Sequence, residues 1–242
     1  MRYAILADIH ANIEAFTAVL TDIAGRHVDK VWCLGDIVDY GPDPHTCIVL
    51  LQRQRHLTVC GNHDLAAIGV LGTSDFHPDA AAANNWTRQQ LGQADLDFLA
   101  SLPADLVQKD FTLVHGSPRD MTWEYLRSAD VAAENLAYLK SPYCFVGHTH
   151  KPAIFLCRET GCGALDFPAE ADFRLDKNRL FINPGAVGQP RDGDPRASYV
   201  VLDDEARTIR LYRVPYDIAA TQAKMLKAGL PSNLIARLSY GM

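Results

Sequence analysis

The chain has 242 residues, 48% of them hydrophobic and 21% charged, proportions that exclude a disulfide miniprotein and wholesale disorder. Lys and Arg number 23 against 29 Asp and Glu, a net charge of −6, so no basic field supports binding to an anionic membrane or to nucleic acid, and no sequence-specific nucleic-acid partner is expected. Apolar runs such as Tyr3–Ala7 and Cys47–Leu51 fall far short of the roughly 18 residues of a membrane span, and Met1-Arg2 leads into a short apolar run without a secretory pattern, so a cytoplasmic address and no membrane partner are expected.

The first half alternates short apolar runs with longer amphipathic ones: Arg2–Ala7, Ile13–Ala24, Lys30–Leu34, His45–Gln54 and Leu57–Cys60. This βαβαβ rhythm predicts a sheet covered by helices, because parallel strands need long crossovers. Asn12 suits the N-cap of the first helix and Gly25 its end. An Ala-rich helical stretch follows over Pro78–Leu102, then strands at Leu106–Gln108 and Phe111–Val114, a helix at Ala129–Lys140 and a strand at Tyr143–Val146. Beyond His150 the texture is that of short strands: Ala153–Cys157, Phe173–Leu175, Leu180–Ile182, Ser198–Asp203 and Thr208–Val214, the last two joined as a hairpin at Asp203-Asp204-Glu205-Ala206. Ile218–Leu226 and Leu234–Leu238 read as closing helices. No linker, repeat or low-complexity tract interrupts the chain, so one α/β domain over 1–242 is expected. The six cysteines, with Cys33, Cys60 and Cys144 inside apolar runs, read as reduced, Cys157 and Cys162 included. The Gly69–Pro78 stretch, with two glycines and a proline, is the candidate for a mobile segment. No oligomeric state follows from the sequence.

Five apolar strands end in residues able to bind metal. Asp8 and His10 close the first, Asp36 the second, Asn62 and His63 follow the third, His115 ends Phe111–Val114, and His148 and His150 follow Tyr143–Gly147. In open α/β sheets ligand sites lie beyond the carboxyl ends of strands, so these residues can converge on one crevice. An extended Asp8-x-His10 or His148-x-His150 would turn both members of the pair to one side. Imidazoles mixed with carboxylates suit Mn, Fe, Zn, Ni or Co better than Ca or Mg. Four histidines, two carboxylates and an amide exceed the needs of one ion, and two ions bridged by a carboxylate would use the set and activate a water or hydroxide between them. His27, His45, His56 and His77 read as ordinary surface residues in helical or loop contexts.

The ordered set Asp8-x-His10, Gly35-Asp36, Gly61-Asn62-His63-Asp64, His115-Gly116 and Gly147-His148-Thr149-His150 resembles the calcineurin-like metallophosphoesterase superfamily. The resemblance implies a four-layer α/β/β/α sandwich of two mixed sheets flanked by helices. It also implies that Asp8, His10, Asp36 and His150 hold one metal and Asp36, Asn62, His115 and His148 the other, with Asp36 as bridge. His63 then matches the histidine that assists the leaving oxygen, oriented by Asp64. Manganese is the ion favoured for assay. The wording Gly35–Pro42, Val114–Pro118 and Asn183–Arg191 is similar to the compact bacterial branch of phosphodiesterases, protein-phosphatase-like members and dinucleoside tetraphosphate hydrolases. The expected partner is a small phosphorylated substrate of nucleotide type, with Asn12, Arg119 and Arg191 as candidate contacts and Trp123 and Tyr125 as candidate base-stacking residues. A phosphomonoesterase or protein phosphatase would use the same core, and a non-catalytic scaffold could keep the fold, although it would have no need of His63.

Overall fold

The computed structural model describes all 242 residues. In chain order it contains β1 (Arg2–Leu6), α1 (Ile13–Ala24), β2 (Lys30–Cys33), α2 (Pro44–Gln52), β3 (His56–Thr58), α3 (Asn62–Ala67), α4 (Pro78–Gln90) and α5 (Gln93–Ala100). There follow β4 (Asp105–Gln108), β5 (Phe111–Val114), α6 (Ala129–Asn135), β6 (Tyr143–Phe145), β7 (Pro152–Arg158), β8 (Gly161–Leu165), β9 (Asp172–Arg174) and β10 (Arg179–Pro184). The chain then closes with β11 (Ala197–Asp203), β12 (Thr208–Val214), α7 (Ile218–Lys227) and α8 (Ser232–Arg237). None of these helices is long and apolar enough to cross a membrane.

The strands form two mixed six-stranded sheets, ordered β3-β2-β1-β11-β12-β9 and β4-β5-β6-β10-β7-β8. In the first, β1, β2 and β3 run parallel, as the βαβαβ rhythm predicts, and β1 meets β11 antiparallel. In the second, β5, β6 and β10 are the parallel centre. Strand alternation builds the layers. Tyr3, Ile5 and Ala7 of the first strand face inward to meet Phe111, Leu113, Phe145 and Ile182 between the sheets, while Ala4 and Leu6 face outward under Phe16, Val19 and Ile48 of α1 and α2. On the far side, Cys144, Phe155 and Phe181 pack under Ala132 of α6. The result is the expected four-layer sandwich.

Three elements depart from the sequence reading. The helix expected over Pro78–Leu102 is two, because Leu91 turns extended and Gly92 caps a new helix, its N–H donating to Asp95 Oδ2 at 2.9 Å. Helix α3 occupies the Gly61–Asp64 motif, where the Gly61 N–H donates to Asp64 Oδ2 at 3.0 Å. Strand β8 has little strand-forming sequence and exists by pairing with β7, which sets Cys157 opposite Cys162. Those two cysteines are disulfide-bonded, with Cα atoms 4.0 Å apart, which corrects the reading of all six as reduced: hairpin register, invisible in the sequence spacing, brings them together. Cys33, Cys47, Cys60 and Cys144 are free and buried as expected.

Candidate metal centre and substrate cleft

The strand-end residues do converge, but not by strand alternation. Strand β1 stops at Leu6, and Asp8, His10, Asp36, His148 and His150 all adopt left-handed backbone, with φ of 55°, 48°, 53°, 64° and 58°. Such conformations are uncommon outside glycine and cost on the order of 1–3 kcal/mol each, so surrounding contacts must hold them. Crossed main-chain bonds do so: Asp8 N–H donates to Gly35 O, His10 N–H to Asp36 O, and Gly188 N–H to Asp8 O, at 2.9–3.1 Å. The expectation of extended Asp-x-His and His-x-His pairs is therefore corrected: tight left-handed turns, not the strand period, aim these side chains. The loops also touch closely. A Cβ on Gly61 would overlap the Asp36 carboxylate, and one on Gly188 the Ile9 carbonyl.

Two groups of potential ligands result, Asp8, His10, Asp36 and His150 in one and Asp36, His115 and His148 in the other; within each group the ligand atoms lie within 4.8 Å of one another. All are buried, and Asp36 belongs to both. His10 Nε2 lies 3.1 Å from His150 Nε2, His115 Nε2 lies 3.1 Å from His148 Nδ1 and 3.0 Å from Asn62 Oδ1, and Asp36 Oδ2 lies 3.2 Å from His115 Nε2. The opposite nitrogens are committed to main-chain carbonyls: Nδ1 of His10 to Val38, of His115 to Leu34 and of His150 to Gln189, at 3.2, 2.9 and 2.6 Å. These bonds fix the ring orientation and turn Nε2 toward the cluster, as ligating histidines require.

The electrostatics fit a cation. Burial holds His10, His148 and His150 well below the usual imidazole range, leaving neutral rings with free lone pairs. Burial would raise Asp36, but His115 and His63 overcome it and keep its carboxyl ionised, while Asp8 is raised by burial. Asp8 Oδ1 and Asp36 Oδ2 are buried with no hydrogen-bond donor. Orphaned carboxylate oxygens of this kind are expensive unless a cation meets them, so the residues present suit metal binding.

His63 is set apart from the cluster. Its Nδ1 donates to Asp39 Oδ2 at 2.5 Å, and Asn84 Nδ2 donates to the same oxygen at 3.1 Å. Burial opposes protonation of His63, yet Asp36 and Asp39 raise its pKa. Asp64, expected to orient this ring, does something else: its Oδ1 accepts from the Ile37 and Val38 N–H groups at 2.8 and 3.2 Å and its Oδ2 from Gly61. Asp64 thus locks the Asp36 loop to the Asn62 loop, and Asp39 is the orienting carboxylate. The second aspartate of Gly35-Asp36-Ile37-Val38-Asp39 was the available signal.

A cleft of about 530 Å³ opens beside Asn62 and His63, with Phe76, Trp123, Tyr125, Tyr40, Arg191 and Arg237 in its lining. Phe76 packs 4.7 Å from the His63 ring and 5.3 Å from Trp123, and Tyr125 stacks on His148 at 3.9 Å. Of the polar contacts expected, Asn12, Arg119 and Arg191, only Arg191 lines this cleft, and the expected stacking residues Trp123 and Tyr125 line it as well. Asn12 is buried, its Oδ1 accepting from Ala15 N–H at 3.1 Å as the helix cap and its Nδ2 donating to Gly188 O at 2.8 Å. Arg119 is ion-paired with Glu124 and Glu134. Neither lines the cleft, and the polar atoms of both are engaged within the fold. Two histidines read as bland also differ: His56 lies half-buried in β3, and His77 caps α4 on the rim of the cleft. Phe76 and Arg237 carried no sequence signal, because only folding brings them to the site.

The profile of the calcineurin-like phosphoesterase superfamily domain matches residues 1–207. An uncharacterised protein of Methanocaldococcus jannaschii is 38% identical over 244 residues, covering 98% of this chain and 97% of its own length. A metallophosphoesterase from Sphaerobacter thermophilus, known from a crystal structure, superposes with a TM-score of 0.91 at 44% identity, covering 100% of this chain and 99% of that one. The symmetrical bis(5'-nucleosyl)-tetraphosphatase of Neisseria gonorrhoeae is 31% identical over 105 residues, 37% of this chain and 38% of its own.

Proposed function

We propose that this chain, which belongs to the calcineurin-like phosphoesterase superfamily, hydrolyses phosphodiester or phosphoanhydride bonds in nucleotide-type substrates, dinucleoside polyphosphates among them. Asp8, His10, Asp36 and His150 would hold one metal ion, and Asp36, Asn62, His115 and His148 a second. When bound, the ions supply Lewis-acid neutralisation of phosphate charge and a nucleophile at neutral pH. The mixed imidazole and carboxylate donors suit Mn, Fe, Zn, Ni or Co.

The observation that carries the reading is the pairing of His63 with Asp39. The Asp39 carboxylate engages Nδ1 at 2.5 Å and favours the imidazolium, which leaves Nε2 to face the cleft that His63 lines. From there Nε2 can give its proton to the departing ester oxygen, and Asp39 holds the ring in that orientation. Asn84 bonds both Asp39 Oδ2 and the His63 carbonyl, so the pair is held as a unit. A scaffold has no use for a buried, oriented acid beside a metal cluster. Phe76, beside the His63 ring, and Trp123, beside Phe76, line the cleft and would stack on a nucleobase in the leaving group, and the partial likeness to a bis(5'-nucleosyl)-tetraphosphatase supports the same class.

The test is turnover of bis-p-nitrophenyl phosphate, p-nitrophenyl phosphate and diadenosine tetraphosphate by chelator-stripped protein reloaded with Mn²⁺, with His63→Ala alongside. Hydrolysis of the diester or the dinucleotide is expected, with kcat lowered about 10²- to 10⁴-fold in His63→Ala. Silence on all three substrates by protein holding two metal ions would refute the proposal, and a dominant rate on the monoester would recast the chain as a phosphomonoesterase.

A further inference from the structure

We infer that Arg191 and Arg237 form a second anion subsite, which binds a phosphate beyond the one undergoing reaction and selects substrates with a phosphoanhydride chain over those with a single phosphate. The inference rests on the phosphoesterase reading above for the position of the reacting phosphate. Residue 237 lies outside the 1–207 span matched by the family profile.

The two guanidiniums differ from the other arginines near the cleft. Arg119, Arg196 and Arg213 are tied to Glu124, Asp194 and Asp192. Arg191 and Arg237 instead share one neutral acceptor, the side-chain oxygen of Gln189. Arg191 Nε and Nη2 donate to it at 3.2 and 2.7 Å, and Arg237 Nη1 at 3.3 Å. Arg237 Nε donates to the main-chain oxygen of Met242. Gln189 is 1% exposed, so the meeting point of the two cations is built into the structure. Two like charges meet on one amide, and no side-chain carboxylate is ion-paired with either of them. Asp79, on the same rim, accepts from Asn233 Nδ2 at 2.9 Å and favours the Arg237 charge through its field without an ion pair. Burial and the field of Arg191 disfavour the charge on Arg237, and Tyr40 and Asp79 offset them only in part.

Position supplies the rest. Tyr40 stands 4.5 Å from the His10 ring and 4.6 Å from the His63 ring, and the Arg191 guanidinium lies 5.6 Å from the Tyr40 centroid. Arg237 is one step farther out, across Gln189. Both arginines line the same cleft as His63 and Asn62. A phosphate at the cluster therefore has, across the Tyr40 ring, two guanidiniums whose donors not engaged by Gln189 and Met242 can contact a second phosphate. A simple diester offers nothing to this pair, whereas a nucleoside diphosphate or dinucleoside polyphosphate does.

The experiment is calorimetric binding of adenosine α,β-methylene diphosphate and of AMP to Mn²⁺-loaded protein, in the wild type, Arg237→Gln, Arg237→Lys and Arg191→Gln. The preference for the diphosphate over AMP should fall about 10- to 100-fold in either glutamine variant, the worth of charged hydrogen bonds, and Arg237→Lys should recover part of it. A preference unchanged in both glutamine variants, or affinities for the two ligands that fall equally, would overturn the subsite. Should Arg237→Gln not fold, Arg191→Gln and Arg237→Lys carry the same comparison. Binding is read without turnover, so a chain inactive on every phosphoester would refute the hydrolase reading while this measurement still decides the subsite.

Discussion

The candidate metal basin and the cleft wall lie side by side and are built in opposite ways. The basin is buried, drawn from strand ends in both sheets, and cross-braced by main-chain bonds between neighbouring loops. The wall is half-exposed and assembled from the loop before α4, the segment after β5 and helix α8. Rigid placement suits groups whose geometry governs the chemistry, and adaptable side chains on looser supports suit groups that choose among substrates. Substitutions in the basin should thus act on kcat and metal content, and substitutions in the wall on KM.

Asp36→Asn tests this contrast most severely, because Asp36 belongs to both ligand groups and its Oδ1 also accepts from the His63 N–H at 2.9 Å. We expect kcat to fall on the order of 10³-fold or more, with elemental analysis showing loss of metal; full activity at full metal content would break the picture. Asp39→Asn comes next. It keeps the cluster but removes the charge on His63 Nδ1, so kcat should fall about 100-fold, and more for a poor alkoxide leaving group than for p-nitrophenolate. An equal fall for both leaving groups would mean that Asp39 only supports the loop.

Trp123→Ala sharpens the other side. A lost base-stacking ring is worth about 1–3 kcal/mol, so KM for diadenosine tetraphosphate should rise about 10-fold or more with little change in kcat, whereas bis-p-nitrophenyl phosphate should respond far less. The smallest effect concerns the support of the wall. Burial opposes it, but Arg119, Ser117 and Asn135 hold the Glu124 carboxyl at about 2, below its ordinary 4.5. The folded state then binds fewer protons than the unfolded one between these values. The contribution of Glu124 is complete above pH 4.5 and is lost as pH falls toward 2. Trp123 fluorescence should report a local transition over that window that is absent in Glu124→Gln.

Much of the basin was legible because every candidate ligand follows the end of a strand in the sequence, and a strand end is a local signal. Asp8, Asp36, His115 and His148 stand directly after apolar runs, and the rule that sites lie beyond strand ends assembles them without knowledge of the sheets. The parallel order of β1, β2 and β3 and the helices between them were equally local, being consequences of periodicity and crossover length. What failed depended on partners far away in the chain. Asp64 and Asp39 are both aspartates within three residues of a ligand, and only the packing of α3 against the Asp36 loop gives Asp64 to the backbone and Asp39 to His63. Cys157 and Cys162 are bonded because hairpin register sets them opposite. Arg119 and Arg191 look alike in sequence, yet one meets two glutamates and the other a neutral amide.

The sequence by itself determined the ligand types, their order on the strands and hence the chemistry the centre can support, because donor atoms and strand period are properties of residues and short segments. Tertiary structure alone decided which carboxylate faces which imidazole, which arginines lie outside ion pairs, and that α8 lines the cleft. Those outcomes depend on the distances between segments far apart in the chain, and such distances exist only once the two sheets have packed.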